Sequence, residues 1–519
     1  MSKDQKLVGC QGCRVSRRGF LAAGCAAACA GATGLLLPAR YAHAAEQGKK
    51  TIRVIYSLHA EVQPGPDWPN VGYDFRPVMD KFDGALSGAF PNMSFIRSLA
   101  TGKEQAEKIL ADDNTAANID GYIVFQMNCW NPVVQTIATS GKPVLYADYQ
   151  FAGSGGFLVY SAGFLRNATP NVGFVASSRM DDLLAAARCF ESVGSANEFA
   201  AATAKVRLDC TAKAGDLSCL PDSLKALGAA ECIERVKASR ILAVRDQQSG
   251  AAPDFAGVPV HRVGFAELND AWMKADKDEA REVADRWEQN ATVVLDVPRK
   301  VIEDSAAMYL AQKQVMARYD ANAITINCLG GFYGNHIHAY PCLGFHELCN
   351  EGLIGACECD IASTATMVTF SHLAKGRPGY ISDPVMDSSK RQIIYAHCVA
   401  SNRAFGPKGE KNPYEILTHS EDRQGASVRS VLPVGYMTTT MQLSNDRKEI
   451  LFHQGKAVAN DPDDRACRTK ICAEPVGDFD KLFTQWDKWG WHRVTFYGDL
   501  KQPVFALADA MGYKVVEEA

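Results

Sequence analysis

Strand-length apolar runs separated by helical segments recur along most of the chain, and this alternation restricts it to folds built on parallel sheets with helices between the strands. Thr51-Ile-Arg-Val-Ile-Tyr56, Gly121-Tyr-Ile-Val-Phe-Gln126 and Lys142-Pro-Val-Leu-Tyr146 read as strands, with helices predicted over Lys103 to Ala111 and Trp130 to Thr139. The pattern restarts near Met180. Arg240 to Arg245, Val258 to Val263 and Thr292 to Asp296 read as strands, while Asp276 to Asn290 and Asp304 to Asp320 read as helices. Further on, Val431 to Met437, Glu449 to His453 and His492 to Tyr497 suggest an antiparallel region closed by a helix over Val504 to Met511. The expected class is α/β: two successive Rossmann-like α/β domains, residues 50–179 and 180–320, followed by a strand-rich (α+β, antiparallel) C-terminal domain in residues 321–519 that also carries the candidate site.

The N-terminus imposes a separate constraint. Ser16-Arg17-Arg18-Gly19-Phe20-Leu21 opens a run of small apolar residues that ends near Leu37-Pro38 and Ala42-His43-Ala44. A basic segment, a short apolar segment and an Ala-x-Ala site make residues 1–44 a twin-arginine signal peptide rather than a membrane span. The expected partner is the twin-arginine translocation machinery, and the expected location is periplasmic or secreted. Removing residues 1–44 from the 519 leaves about 475, beyond the size at which single cores divide.

A net charge of −4 with 22% charged residues, and no long basic run after the leader, argues against a nucleic-acid partner. Four of the 17 cysteines lie in the leader, and the remaining odd number cannot all pair. Cys210 with Cys219, and Cys467 with Cys472, sit in polar, turn-rich surroundings and are candidate disulfides for an oxidising compartment. Ala152-Gly-Ser-Gly-Gly156 lacks the lysine or the third spaced glycine of a nucleotide cradle and is expected to be a flexible loop.

Chemistry-bearing residues concentrate between Ala321 and Asp360. The strand-like Ala323-Ile-Thr-Ile-Asn-Cys328 runs into the glycines of Gly330-Gly-Phe-Tyr-Gly334, then Asn335-His336-Ile337-His338, His346, Glu347 and Ala356-Cys357-Glu358-Cys359-Asp360. Strand ends followed by glycines are the usual location of α/β active sites. Taken locally, Asp360 reads as the cap of a helix over Ile361 to Leu373. His336 and His338 share a face at strand spacing. His397 reads as a packed or supporting histidine, and Trp491 as a pocket wall beside His492.

Several segments in fixed order resemble the L-fucose/L-arabinose isomerase-like sugar isomerases: Ala323 to Cys328, Pro341 to Gly352, Ala356 to Met367, Tyr395-Ala-His-Cys398 and Gly490-Trp-His-Arg-Val-Thr-Phe-Tyr-Gly-Asp499. The resemblance covers roughly the last 200 residues of the chain. It implies manganese or another divalent metal holding two adjacent oxygens of an open-chain, unphosphorylated sugar while a carboxylate moves a proton between neighbouring carbons. By the same resemblance Asp360 and Glu347 are the expected acidic ligands and proton carriers, with His346 the alternative to Glu347. His492 is the imidazole ligand, and Glu358, His336, His338, His397 and Trp491 contact substrate or support the ligands. The implied activity is aldose-ketose isomerisation through an enediolate, with a small-molecule carbohydrate as partner and a homo-oligomer as a possible assembly. Two other classes stay open: an exported carbohydrate-binding protein without catalysis, and a metal-dependent hydrolase or lyase acting on a carbohydrate.

Overall fold

The computed structural model describes residues 49–116 and 118–519; the signal peptide expected in residues 1–44 lies outside them. The first unit is a five-stranded, wholly parallel sheet of β1 (Lys50–Ser57), β2 (Met93–Ala100), β3 (Gly121–Gln126), β4 (Val144–Asp148) and β5 (Val172–Val175), in the order β2-β1-β3-β4-β5. Every residue of β3, β4 and β5 is buried. That burial suits a sheet covered on both faces by helices, and it explains why these strands are apolar without alternation.

A second sheet has the order β11-β10-β6-β8-β7. It comprises β6 (Ile241–Arg245), β7 (Gly250–Phe255), β8 (Val258–Gly264), β10 (Ala323–Ile326) and β11 (Ile354–Cys357), with only β7 antiparallel to its neighbour. β9 (Val293–Leu295) lies between them in sequence but leaves this unit to join a small sheet with β14 (Tyr414–Leu417) and β15 (Ser427–Ser430). The second sheet therefore continues past residue 320, and the site-bearing segment begins inside it. The expected helices are present over Lys277–Asn290 and Arg299–Arg318.

The C-terminal region is antiparallel, as its strand content suggested, and it closes on itself. β12 (Tyr380–Asp387), β13 (Gln392–His397), β16 (Met437–Ser444), β17 (Glu449–Asn460), β18 (Thr469–Pro475) and β19 (Arg493–Tyr497) pair in the order β16-β19-β12-β13-β18-β17. A further pairing of β16 with β17 completes a six-stranded barrel, and β20 (Lys514–Glu517) adds to β17 in parallel. Closure removes the unpaired edges that an open sheet would present. The segment from 431 to 436 is a connection between β15 and β16 rather than the strand its composition suggested. β13 and β16 are not neighbours, so the 3.0 Å hydrogen bond from Thr440 Oγ1 to Tyr395 Oη crosses the barrel.

Two helices fasten the units together beside the site. Ile361–Leu373 is buried along nearly its whole length and touches both the second sheet and barrel strands β12, β16 and β19. Ser154–Arg166 contacts β12 from the first unit. The glycines before and within this second helix serve close packing instead of a flexible loop. A Cβ on Gly153 would meet the Gln126 carbonyl oxygen at 1.9 Å, and one on Gly155 would meet the Trp491 ring at 2.7 Å.

Candidate active site

β11 ends at Cys357, and the chain must turn at once into the helix that begins at Ile361. Glu358 and Cys359 both make this turn in the left-handed region, at φ 62° and 53°. Left-handed backbone costs a non-glycine residue roughly 1–2 kcal/mol. Strain of this kind persists where the surrounding structure enforces it, and it is concentrated at functional positions. Here the turn places the Glu358 carboxylate next to the barrel. Asp360 follows as the helix cap, with Oδ1 accepting from the Ser363 backbone N–H at 3.0 Å and Oδ2 accepting from the Ser363 hydroxyl at 2.6 Å.

The barrel supplies the other groups. Ser382 of β12 is in register with Arg493 of β19, so the next step along β12 brings Asp383 beside His492. His492 lies between carboxylates. Its Nδ1 is 2.8 Å from Asp360 Oδ2, while its Nε2 is 3.0 Å from Asp383 Oδ1 and 3.7 Å from Glu358 Oε2. One donor atom from each of Glu358, Asp383 and His492 falls within 4.8 Å of the others, a separation that one ion can span. On the far side of Asp383, His397 Nδ1 is 3.4 Å from Oδ2. Asp383 and His397 are each about 1% exposed, yet Asp383 Oδ1 and His397 Nδ1 lack a hydrogen bond of good geometry.

Burial alone would raise the Asp360 and Asp383 carboxyls. Opposing it, His492 and the Ser363 donors hold Asp360 below the usual carboxylate range, and His492 with His397 does the same for Asp383. Burial pushes the His397 imidazole down, but Asp383 and Glu358 more than offset it and raise it. Asp360 and Asp383 are therefore held ionised in a site that is nearly closed to water. Two carboxylates and an imidazole form a hard, anionic donor set suited to manganese or magnesium better than to a thiolate-seeking ion. Asp383 Oδ1 is a buried acceptor with an imidazole 3.0 Å away but no hydrogen bond of good geometry, and a cation there would satisfy it.

The wall of the site is Trp491, backed by two tryptophans of the first unit. Trp491 is buried, donates its Nε1–H to the Pro384 carbonyl at 2.8 Å, and meets the rings of Trp68 and Trp130 edge-on at 5.3 and 6.0 Å. Trp68 lies in the proline-rich loop after β1. A small cavity of about 30 Å³ borders Asp360, Trp491, His492 and Gln442.

Of the residues expected from sequence, the structure brings together Asp360, Glu358, His397, His492 and Trp491. It does not bring Glu347 to them: the Glu347 carboxylate is 2.7 Å from Arg286 and lines a separate cleft of about 490 Å³ with Tyr309, Lys313 and Glu351. His346 is buried on the same helix, its Nδ1 2.6 Å from the Ala400 carbonyl oxygen. His336 and His338 are exposed, against the rings of Phe265 and Trp272. Asp383 is the residue that sequence reasoning missed; its signal was an acid inside a buried strand, masked by Pro384. The candidate disulfides are absent, because all 13 cysteines of the described residues are free thiols. Two of them, Cys328 and Cys357, touch at the ends of β10 and β11 with their sulfurs 3.1 Å apart.

The chain is 23% identical over 264 residues to a sulfoquinovose isomerase of Clostridium sp. (strain MSTE9), a match covering 49% of this chain and 57% of that protein. Sulfoquinovose isomerases of Alkalicoccus urumqiensis and Priestia aryabhattai are 25% and 24% identical over 184 and 145 residues, which is 34% and 28% of this chain and 40% and 32% of those proteins. The chain thus spans between about a third and somewhat over half of the relatives it matches. No family model matches it. Among solved structures, a myo-inositol-bound ABC transporter solute binding protein from Bacillus halodurans C-125 aligns over 57% of this chain and 83% of that one, at 15% identity and a TM-score of 0.18. A LacI family regulator from Corynebacterium glutamicum aligns over 53% and 69% at 12% identity and a TM-score of 0.16. Scores this low carry no argument about fold or ligand. The sequence likeness to the named enzymes is confined to 28–49% of this chain, at 23–25% identity.

Proposed function

We propose that the protein interconverts an aldose and a ketose of an unphosphorylated sugar through an enediolate, with Glu358, Asp383 and His492 holding a divalent metal, manganese by preference. The observation that carries this reading is the convergence of those three donors within 4.8 Å in a buried site. A dication held there would supply a Lewis acid that stabilises the enediolate charge.

The chain's own residues account for the rest. Asp360 fixes His492: its bond to Nδ1 sets the tautomer and turns Nε2 toward Glu358 and Asp383, the usual arrangement of a carboxylate behind a ligating histidine. The expected roles of Asp360 and Glu358 are thereby exchanged, and Asp383 replaces Glu347 as the second acid. Glu358 is the proton carrier. Its side chain is 17% exposed against 1% for Asp383, so it alone of the two reaches a substrate. Glu358 removes the proton from C2 of the aldose as the C1 carbonyl becomes an enediolate oxygen, then returns a proton to C1 while the O2 proton passes to O1 and C2 becomes the carbonyl. Trp491, held by Trp68 and Trp130, walls the site and excludes water.

Sulfoquinovose is the first substrate to test, given what the relatives are named for. The twin-arginine reading of residues 1–44 supports an exported activity, and no helix of the described residues is long and apolar enough to cross a membrane. The test is NMR in deuterated water with manganese-loaded, then diluted, protein and a panel of unphosphorylated sugars that includes sulfoquinovose. Deuterium gain at C2 or C1 that disappears in Asp383→Asn supports isomerisation. No exchange from metal-replete protein sinks it in favour of carbohydrate binding or another metal-assisted reaction.

A further inference from the structure

Asp383 has a histidine on each side. His492 Nε2 lies 3.0 Å from Oδ1, and His397 Nδ1 lies 3.4 Å from Oδ2. The second histidine also has a sulfur beside it: donor atoms of Asp383, His397 and Cys467 all fall within 4.8 Å of one another, and all three residues are at least nine-tenths buried. Cys467 comes from the approach to β18, so the trio draws on three different parts of the barrel. His397 Nδ1 faces Asp383 without a hydrogen bond of good geometry. Ligands about 2.0–2.3 Å from a tetrahedral zinc stand roughly 3.3–3.8 Å apart, so this spacing needs only a small contraction. A second sulfur is close by, since the Ser420 hydroxyl reaches both Cys467 at 3.7 Å and Cys398 at 4.0 Å.

We propose that Asp383, His397 and Cys467 form a second cation site of the zinc class, and that the Asp383 carboxylate bridges it to the ion held by Glu358 and His492. The proposal rests on the metal reading of the first site and extends it from one ion to two unlike ones. An oxygen, an imidazole and a thiolate select a softer ion than two carboxylates and an imidazole do, so the two positions differ in preference. The ion shared through Asp383 would fix the orientation of that carboxylate and so position the ligand for the first ion. His397 and Cys467 are positioning residues in this account.

The experiment uses the purified full chain, stripped with a chelator under reducing conditions and titrated with cobalt(II). Ions per chain are counted by mass spectrometry while the near-ultraviolet thiolate-to-cobalt charge-transfer band is followed. Two ions and a charge-transfer band are expected. Cys467→Ser should lose the band, keep one ion and weaken binding of the other by more than about 100-fold, since it removes a direct ligand and not a supporting group. Cys472→Ser, which alters a buried thiol of β18 outside the trio, should change neither reading. One ion with no band overturns the second site, leaves the first standing and makes His397 a charged partner of Asp383. A band that persists in Cys467→Ser overturns it too, because the sulfur is then another cysteine. No bound ion at all overturns both sites. Should Cys467→Ser fail to fold, Cys398→Ser, which removes the other sulfur beside Ser420, assigns the band instead: its persistence there is expected, and its loss overturns the site.

Discussion

Two acidic clusters arise from neighbouring segments of the chain and differ in how their charge is met. In the cleft bordered by Glu347 and Glu351, Arg286 lies against Glu347, and Lys313 lies 3.0 Å from Glu351 while Tyr309 donates to it. Each acid there has a cation of its own, half in water. In the barrel cluster, Glu358, Asp360 and Asp383 surround one imidazole, with His397 behind Asp383. Negative charge is in excess, burial is nearly complete, and one carboxylate oxygen lacks a hydrogen bond of good geometry. Cleft size does not distinguish a site from a surface feature. The larger cavity belongs to the neutralised pair, and the chemistry belongs to the cluster whose charge the protein leaves unbalanced.

The sharpest test of that contrast is Asp383→Asn. It keeps the shape and removes the charge shared by His492 and His397, so metal affinity and isomerase turnover should both collapse, turnover on the order of 10³-fold. Retained turnover, measured after metal loading, would show that the excess charge is not what the site uses.

A third buried cluster sharpens the comparison, because there the charges do balance. Glu518 accepts two bonds from Arg493, at 2.6 and 3.2 Å, and is 2.9 Å from His453 Nδ1, with every partner almost fully buried. Arg493 neighbours His492 in sequence, so this network helps anchor the start of β19. Glu518→Gln leaves a buried guanidinium without its counter-charge and should cost about 3 kcal/mol of unfolding free energy. Burial raises the Glu518 carboxyl, but Arg493 and His453 outweigh it and bring it to about 2. Its contribution is therefore complete above the ordinary glutamate value of about 4.5 and fades as pH falls toward about 2. Denaturant titrations across that window should show a smaller loss in Glu518→Gln than in the wild type.

Asp360→Asn probes the supporting layer of the barrel cluster. The amide still caps the helix but offers His492 Nδ1 a weaker partner, so metal affinity should fall by about 10–100-fold with a stability change near 1 kcal/mol or less. A direct ligand would lose far more. Calorimetric metal titration beside thermal unfolding separates the two roles.

Much of this arrangement was legible beforehand. Glu358 and Asp360 stand where a parallel strand ends, His492 sits beside a tryptophan, and the antiparallel character of the last region followed from its strand content. Asp383 was not legible because Pro384 follows it, and a proline inside an apolar run argues against a paired strand. β12 accepts it, since Pro384 stands opposite Tyr395 while the flanking residues keep the register. Closure of the barrel was hidden as well, because the β16–β17 hairpin is local in sequence whereas the β16–β19 and β12–β19 pairings are not.

Glu347 shows why spacing from a motif misleads when the intervening segment is a helix. Along Cys342–Asn350 successive residues rotate by about 100°, so His346 turns into the core against Ala400 and Tyr414 while Glu347 turns toward Arg286. A count of residues reaches either one; only the helix face decides which points where. Glu347→Gln therefore removes a partly exposed ion pair and weakens a long 3.4 Å bond from Asn350, and should cost under about 1 kcal/mol of stability. Turnover and metal affinity should stay within about two-fold of the wild type, the range left to substitutions that touch neither the ligands nor their supports. A large loss of metal in Glu347→Gln, measured beside Asp383→Asn, would move the centre from the barrel to the cleft and reverse the comparison.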